Sequence, residues 1–145
     1  MNLNQLSVYL ENKPGALKEV CQILAENNID ISALSLADTS SFGILRLILK
    51  EWEKARDILL EKGFAVKITD VFAVEVDNQP GGMCKLVETL DKYQINVDYI
   101  YAFVSTVNSK AVIIMRLDSA EKALELLKAD NTIKFISKND IFAEK

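Results

Sequence analysis

Histidine is absent from the 145 residues, and cysteine occurs only as Cys21 and Cys84. With no CxxC pair and no imidazole, the ligand sets of zinc and transition-metal sites are missing, so no metal and no other cofactor is expected. Basic residues form no run and the net charge is −4, which lacks the electrostatic footprint of a nucleic-acid binder. The longest strongly apolar stretch, Phe42 to Leu49, is broken by Arg46 and is far too short to cross a bilayer. The opening Met1-Asn2-Leu3-Asn4-Gln5 has no basic segment leading into an apolar one. These absences predict a protein that touches neither membrane nor nucleic acid and is cytoplasmic.

Proline is equally scarce, and both prolines fall in one motif that occurs twice. The first copy reads Glu11-Asn12-Lys13-Pro14-Gly15-Ala16-Leu17 and the second Asp77-Asn78-Gln79-Pro80-Gly81-Gly82-Met83, 66 residues further on. Alternating apolar residues precede each copy, Leu6, Val8 and Leu10 in one and Phe72, Val74 and Val76 in the other, the period of a half-buried strand. After each copy the period becomes helical, with Leu17, Val20, Cys21 and Leu24 matched by Met83, Leu86, Val87 and Leu90. Asn12 and Asn78 are placed to start a turn through local backbone hydrogen bonds. Pro14 and Pro80 suit a helix's first turn, and Gly15, Gly81 and Gly82 allow close backbone approach. Free N–H groups at the helix start favour an anion. Taken singly, such a motif is more often a plain strand-to-helix turn than a site; its repetition in two diverged halves makes it a signature.

Read in order, a strand over about Gln5–Glu11 leads to a helix over about Gly15–Asn27. Ile29 to Leu36 alternates but shifts phase near Ala33-Leu34, which predicts a bulged strand; Ile95 to Phe103 is its counterpart. Phe42 to Leu49 and Lys110 to Leu117 read as central strands. Helices follow over Glu51–Lys62, with Trp52, Ala55, Ile58 and Leu59 inward and Gly63 ending it, and over Ser119–Lys128, with Ser119 as the cap. A fourth strand over Ala65–Thr69 enters the second half at Asp70 without a linker. Asp70-Val71-Phe72-Ala73 recurs as Asp140-Ile141-Phe142-Ala143, from which Ile141 and Phe142 are expected to extend the last strand. Strand, helix, strand, strand, helix, strand is the split βαβ order, so the fold class is α+β with two tandem ferredoxin-like βαββαβ domains, residues 1–69 and 70–145. Halves this small are near the lower limit for folding alone and should share an interface.

A strand, then Asn-x-Pro-Gly, a helix, and an Asp30-Ile31 or Asn96-Val97 pair entering the next strand resembles the ACT domain, a regulatory module of amino-acid metabolism, over nearly the whole chain. The resemblance implies that two modules pair side by side into one antiparallel sheet with helices on one face, and that a free amino acid binds at their seam. It places the ligand against Asn12, Lys13, Pro14, Gly15 and Ala16 with Asp30 and Ile31, and against Asn78, Gln79, Pro80, Gly81 and Gly82 with Asn96 and Val97. If Tyr99 or Tyr101 lines the seam, a flat or apolar ligand side chain is favoured. A homodimer is a further expectation of the resemblance, since sheet edges and apolar faces need cover. A separate enzyme partner is another, because no catalytic apparatus is visible: the loops offer Lys13 and Gln79 but no Arg, and no Ser or Cys lies beside an evident base. The competing readings are a ligand-free regulatory or interaction subunit of an enzyme, and a small phosphatase-like enzyme on the same fold.

Overall fold

The computed structural model describes residues 2–39, 41–103 and 110–143. Seven strands and five helices follow in the order β1 (Asn2–Glu11), α1 (Ala16–Glu26), β2 (Ala33–Asp38), β3 (Phe42–Ile48), α2 (Trp52–Glu61), β4 (Ala65–Val76), α3 (Gly82–Lys92), β5 (Val97–Ala102), β6 (Ala111–Leu117), α4 (Ala120–Ala129), β7 (Lys134–Phe135) and α5 (Lys138–Phe142). The chain divides into two compact units, Asn4–Thr69 and Asp70–Lys145, the latter including Met1–Leu3.

In the first unit the strand order is β2-β3-β1, with β4 next; in the second it is β5-β6-β4-β7. Second, third, first, fourth is the same order in both, and β3 runs antiparallel to β1 and β2 as β6 does to β4 and β5. Each unit is thus a βαββαβ repeat. Each also has its own core, built on strand alternation. Leu6, Val8 and Leu10 meet Leu45 and Leu47, and the sheet buries Val20, Ile23 and Leu24 of α1 with Ala55 and Leu59 of α2. In the second unit Phe72 and Val74 play the same part with Met115 and Leu117, Leu86 and Leu90 of α3, and Ala123 and Leu127 of α4. Full burial of each large apolar side chain stabilises by about 1.5–3 kcal/mol, so these helix faces fix which side of each helix meets the sheet.

The expected bulge in the strand after α1 is not where the sequence phase shift lies. β2 begins only at Ala33, and its ladder with β3 is regular. Ile29 belongs instead to the end of α1: its N–H donates to the Leu24 carbonyl at 2.9 Å and the Asn28 N–H to that of Ala25 at 3.1 Å, with Asn28 left-handed at φ +56°. This is the Schellman closure, in which an apolar residue past the helix folds back on its last turn. Gln94 and Ile95 repeat it after α3, Ile95 N–H donating to Leu90 at 2.9 Å. The irregularity that does occur is in β5, between Val97 and Tyr99.

Two terminal details also differ from expectation. Ser119 precedes α4 at φ +51°, but its side chain makes no capping hydrogen bond. Ile141 and Phe142 lie in α5 and not in a strand, because the Ser137 hydroxyl accepts from the Asp140 N–H at 3.2 Å and so caps a helix start. The last strand is β7, two residues long.

Candidate functional site

The two repeated loops have one backbone design. In the first, Lys13 N–H donates to the Glu11 carbonyl at 2.9 Å, Ala16 N–H to Lys13 at 3.4 Å and Glu19 N–H to Gly15 at 3.0 Å. In the second, Gln79 N–H donates to Asp77 at 2.9 Å, Gly82 N–H to Gln79 at 3.0 Å and Lys85 N–H to Gly81 at 3.1 Å, each partner displaced by 66. Gly15 and Gly81 hold the N-cap position at φ +91° and +85°, a left-handed turn that costs other L-residues about 1–2 kcal/mol. Pro14 and Pro80 set up that turn. The N–H groups of Leu17 and Lys18, and of Met83 and Cys84, precede the first helical acceptors and have no carbonyl partner within the helix.

Asn12 and Asn78 do not cap these helices. Both are exposed, and among the described residues neither side chain makes a hydrogen bond. The glycines perform the turn, and the asparagine side chains are left facing outward.

Around this shared backbone the surroundings diverge. A groove of about 280 Å³ on the β2–β3 side of α1 is lined by Leu10, Glu11, Asn12, Lys13, Ala16, Leu17, Leu36, Asp38 and Gly43. The second loop opens the other way, toward β7: a groove of about 380 Å³ is lined by Glu75, Asp77, Gly82, Lys85, Glu88 and Thr89 together with Thr132, Ile133 and Lys134. Charge pairs fill its rim. Lys110 donates to the Asp77 carboxylate, Lys85 lies 4.0 Å from the same group, and Lys134 pairs with Glu75 at 3.2 Å. The bond from Lys110 holds the Asp77 carboxyl below the usual carboxylate range. In the first unit Glu11 pairs with the exposed Lys13 at 3.0 Å, its one ion pair among the described residues.

Asp30-Ile31 and Asn96-Val97 lie away from the loops of their own units. Leu10 is opposite Gly43 and Asp38 opposite the same residue, so the Asn12 loop adjoins the end of β2, whereas β2 starts at Ala33, opposite Ile48. Likewise Val97 is opposite Leu117 while Val76 is opposite Ala111, six residues away along β6 and so about 20 Å apart at strand rise. Asn96 lines a separate depression with Tyr93, Asp118, Ser119 and Lys122. Tyr99 and Tyr101 stand half-buried on β5 opposite Arg116 and Ile114, on the face turned away from the helices. Sequence reading missed Leu36, Asp38 and Gly43 of the first groove and Lys85, Lys110 and Lys134 of the second. Antiparallel arithmetic from Leu10 and Val76 through the central strands would have found Gly43 and Lys110.

Among the described residues no arrangement for nucleophilic chemistry accompanies the loops. The Cys84 thiol donates to the Glu88 carboxylate at 3.5 Å, which pushes its pKa up, the opposite of an activated thiolate. Among the described residues no cluster of His, Cys, Asp or Glu fits a metal ion, and no helix is long and apolar enough to cross a membrane.

Two βαββαβ repeats with one Pro-Gly loop design define a tandem of ferredoxin-like modules. The ACT domain pair matches residues 1–144, and the chain belongs to that family. Its fold is similar to that of protein BT0572 from Bacteroides thetaiotaomicron, at 37% identity over 98% of this chain and 96% of that one, with a TM-score of 0.88. It is also similar to the ligand-free regulatory subunit of aspartate kinase from Thermus thermophilus, at 18% identity, 89% and 93% coverage and a TM-score of 0.61. The regulatory subunit of aspartate kinase from Thermus flavus gives 18% identity, 89% and 92% coverage and 0.59. No curated protein matches.

Proposed function

We propose that this chain is a non-catalytic regulatory protein that binds a free amino acid through the loops at Asn12–Ala16 and Asn78–Gly82, at the seam where ACT modules pair, and passes the bound state to a separate enzyme. The observation that carries this is the doubled Pro-Gly loop, whose hydrogen bonds repeat residue for residue while the linings of the grooves beside it differ. A ligand carboxylate suits the unpartnered N–H groups of the first helical turn, and its ammonium suits the oxygens near them. Within one unit the loop and the Asp30-Ile31 or Asn96-Val97 pair are at opposite ends, so a ligand touching both would take them from different modules, of one chain or of two. The similarity in fold to two regulatory subunits of aspartate kinase supports a regulatory reading.

Thermal unfolding of the purified protein against each of the twenty amino acids tests this. A ligand at about 100 times its dissociation constant adds roughly 2.7 kcal/mol to the folded state, which shifts the midpoint by several degrees. A shift with one amino acid or a related few supports the sensor reading. No shift with any of them replaces it with a ligand-free interaction subunit.

A further inference from the structure

The groove beside the first loop differs from its second-unit counterpart in ways that bear on what each can hold. Its floor is apolar: Leu10 and Leu17 are joined by Leu36, which is 50% exposed although it lies on the core-facing side of β2, opposite Leu45. Gly43 makes room for it. A Cβ there would come 3.2 Å from the Leu36 Cδ1, so the absence of a side chain lets the leucine lie across β3. At the rim stands Asp38, whose carboxylate has no hydrogen-bond or ion-pair partner among the described residues, with Glu11, Asn12 and Lys13 beside it. At about 280 Å³ the groove falls just below the roughly 300–1,000 Å³ of sites for drug-sized ligands, the size of a small metabolite.

In the second unit the matching positions are taken differently. Ala102, opposite Ile113, stands where Leu36 does, and Ala111, opposite Val76, stands in place of Gly43. The Asp77 carboxylate, equivalent to Glu11, is already held by the Lys110 ammonium. An internal lysine there supplies the cation that an amino acid would bring. In the first unit the equivalent Glu11 pairs with the exposed Lys13 of its own loop, and it is Asp38 that has no partner among the described residues.

We propose, resting on the amino-acid reading above, that the chain binds one amino acid with an apolar side chain in the first-unit groove. Its ammonium meets Asp38, its carboxylate meets Lys13 and the free N–H groups at the start of α1, and its side chain covers Leu36 and Leu17. An uncharged side chain is required because the floor offers no polar group to one that is charged, and burying an unpaired charge is costly.

The experiment is titration calorimetry of the full chain with L-leucine, L-phenylalanine, L-aspartate and L-lysine, on the wild type and on Asp38→Asn and Leu36→Ser. The expected result is one site per chain, apolar ligands favoured over charged ones by tenfold or more, and a loss of tenfold or more in Asp38→Asn and Leu36→Ser. Binding of an amino acid that is indifferent to Asp38→Asn and Leu36→Ser, or that prefers a charged ligand, overturns the assignment of this groove while the sensor reading stands. No heat and no thermal shift with any amino acid would overturn both.

Discussion

The Asp77 carboxylate and the Lys110 ammonium are joined across the mouth of the second loop, tying the residue after β4 to the residue before β6. Lys110→Met should release Asp77, whose carboxyl should then titrate closer to the ordinary range in an NMR pH series. The sign follows from the depressed folded-state value: the pair contributes stability at and above neutral pH, and that contribution is lost as the pH falls through the folded-state value. The pair is partly exposed, so the loss should be small and reduced by salt. An Asp77 titration unchanged in the variant would show that Lys110 does not set it.

Position 16 of the first loop and position 82 of the second are equivalent in the repeat but not in tolerance. A Cβ on Gly82 would overlap the Asp77 carbonyl oxygen, a backbone atom that cannot swing aside. Gly82→Ala should destabilise by about 1–3 kcal/mol, the cost of overpacking. The reverse change, Ala16→Gly, should cost at most about 1 kcal/mol through backbone entropy. Urea midpoints, with unchanged slopes, measure both.

Asp130 gathers the turn between α4 and β7. It accepts from the Thr132 hydroxyl at 2.5 Å, the Tyr93 hydroxyl at 2.6 Å and the Thr132 N–H at 2.9 Å. These bonds, the Thr132 hydroxyl first, hold its carboxyl well below the usual range. A carboxylate favoured in the folded state supports stability above the unfolded-state value and loses that support as the pH falls. Between pH 7 and pH 3 the wild type should therefore lose stability more steeply than Asp130→Asn. Parallel curves would assign the acid sensitivity elsewhere.

Ser137 decides the form of the chain's last segment. Its hydroxyl accepts from the Asp140 N–H and donates to the Asp140 carboxylate at 2.8 Å. Ser137→Ala should cost about 0.5–2 kcal/mol, the range for a lost N-cap, and should raise amide exchange over Lys138–Phe142 before it affects any other element.

Much of this architecture was legible because the chain states it twice. The period change after Glu11 and after Asp77 gave both first helices, and the phase of Phe72, Val74 and Val76 gave the core face of β4. What failed were residues with two possible employers. Ile29 reads as a strand residue by alternation but is claimed by the end of α1, since nothing in hydropathy separates an apolar strand residue from an apolar helix closure. Ile141 and Phe142 repeat a strand sequence, yet a serine three residues before Asp140 turns them helical. The candidate site was half legible: the loop motif was plain, but its neighbours Leu36, Asp38 and Gly43 reach it only through strand pairing, a long-range relation that local pattern does not encode.

β4 runs unbroken from Ala65 to Val76, and its even-numbered side chains serve both cores, Val66 and Ile68 in one and Phe72, Val74 and Val76 in the other. Within each unit that alternation has a parity. One residue inserted between Phe72 and Val74 would turn one of the two out of the second core. Two residues inserted there would restore the alternation and keep both side chains on one face.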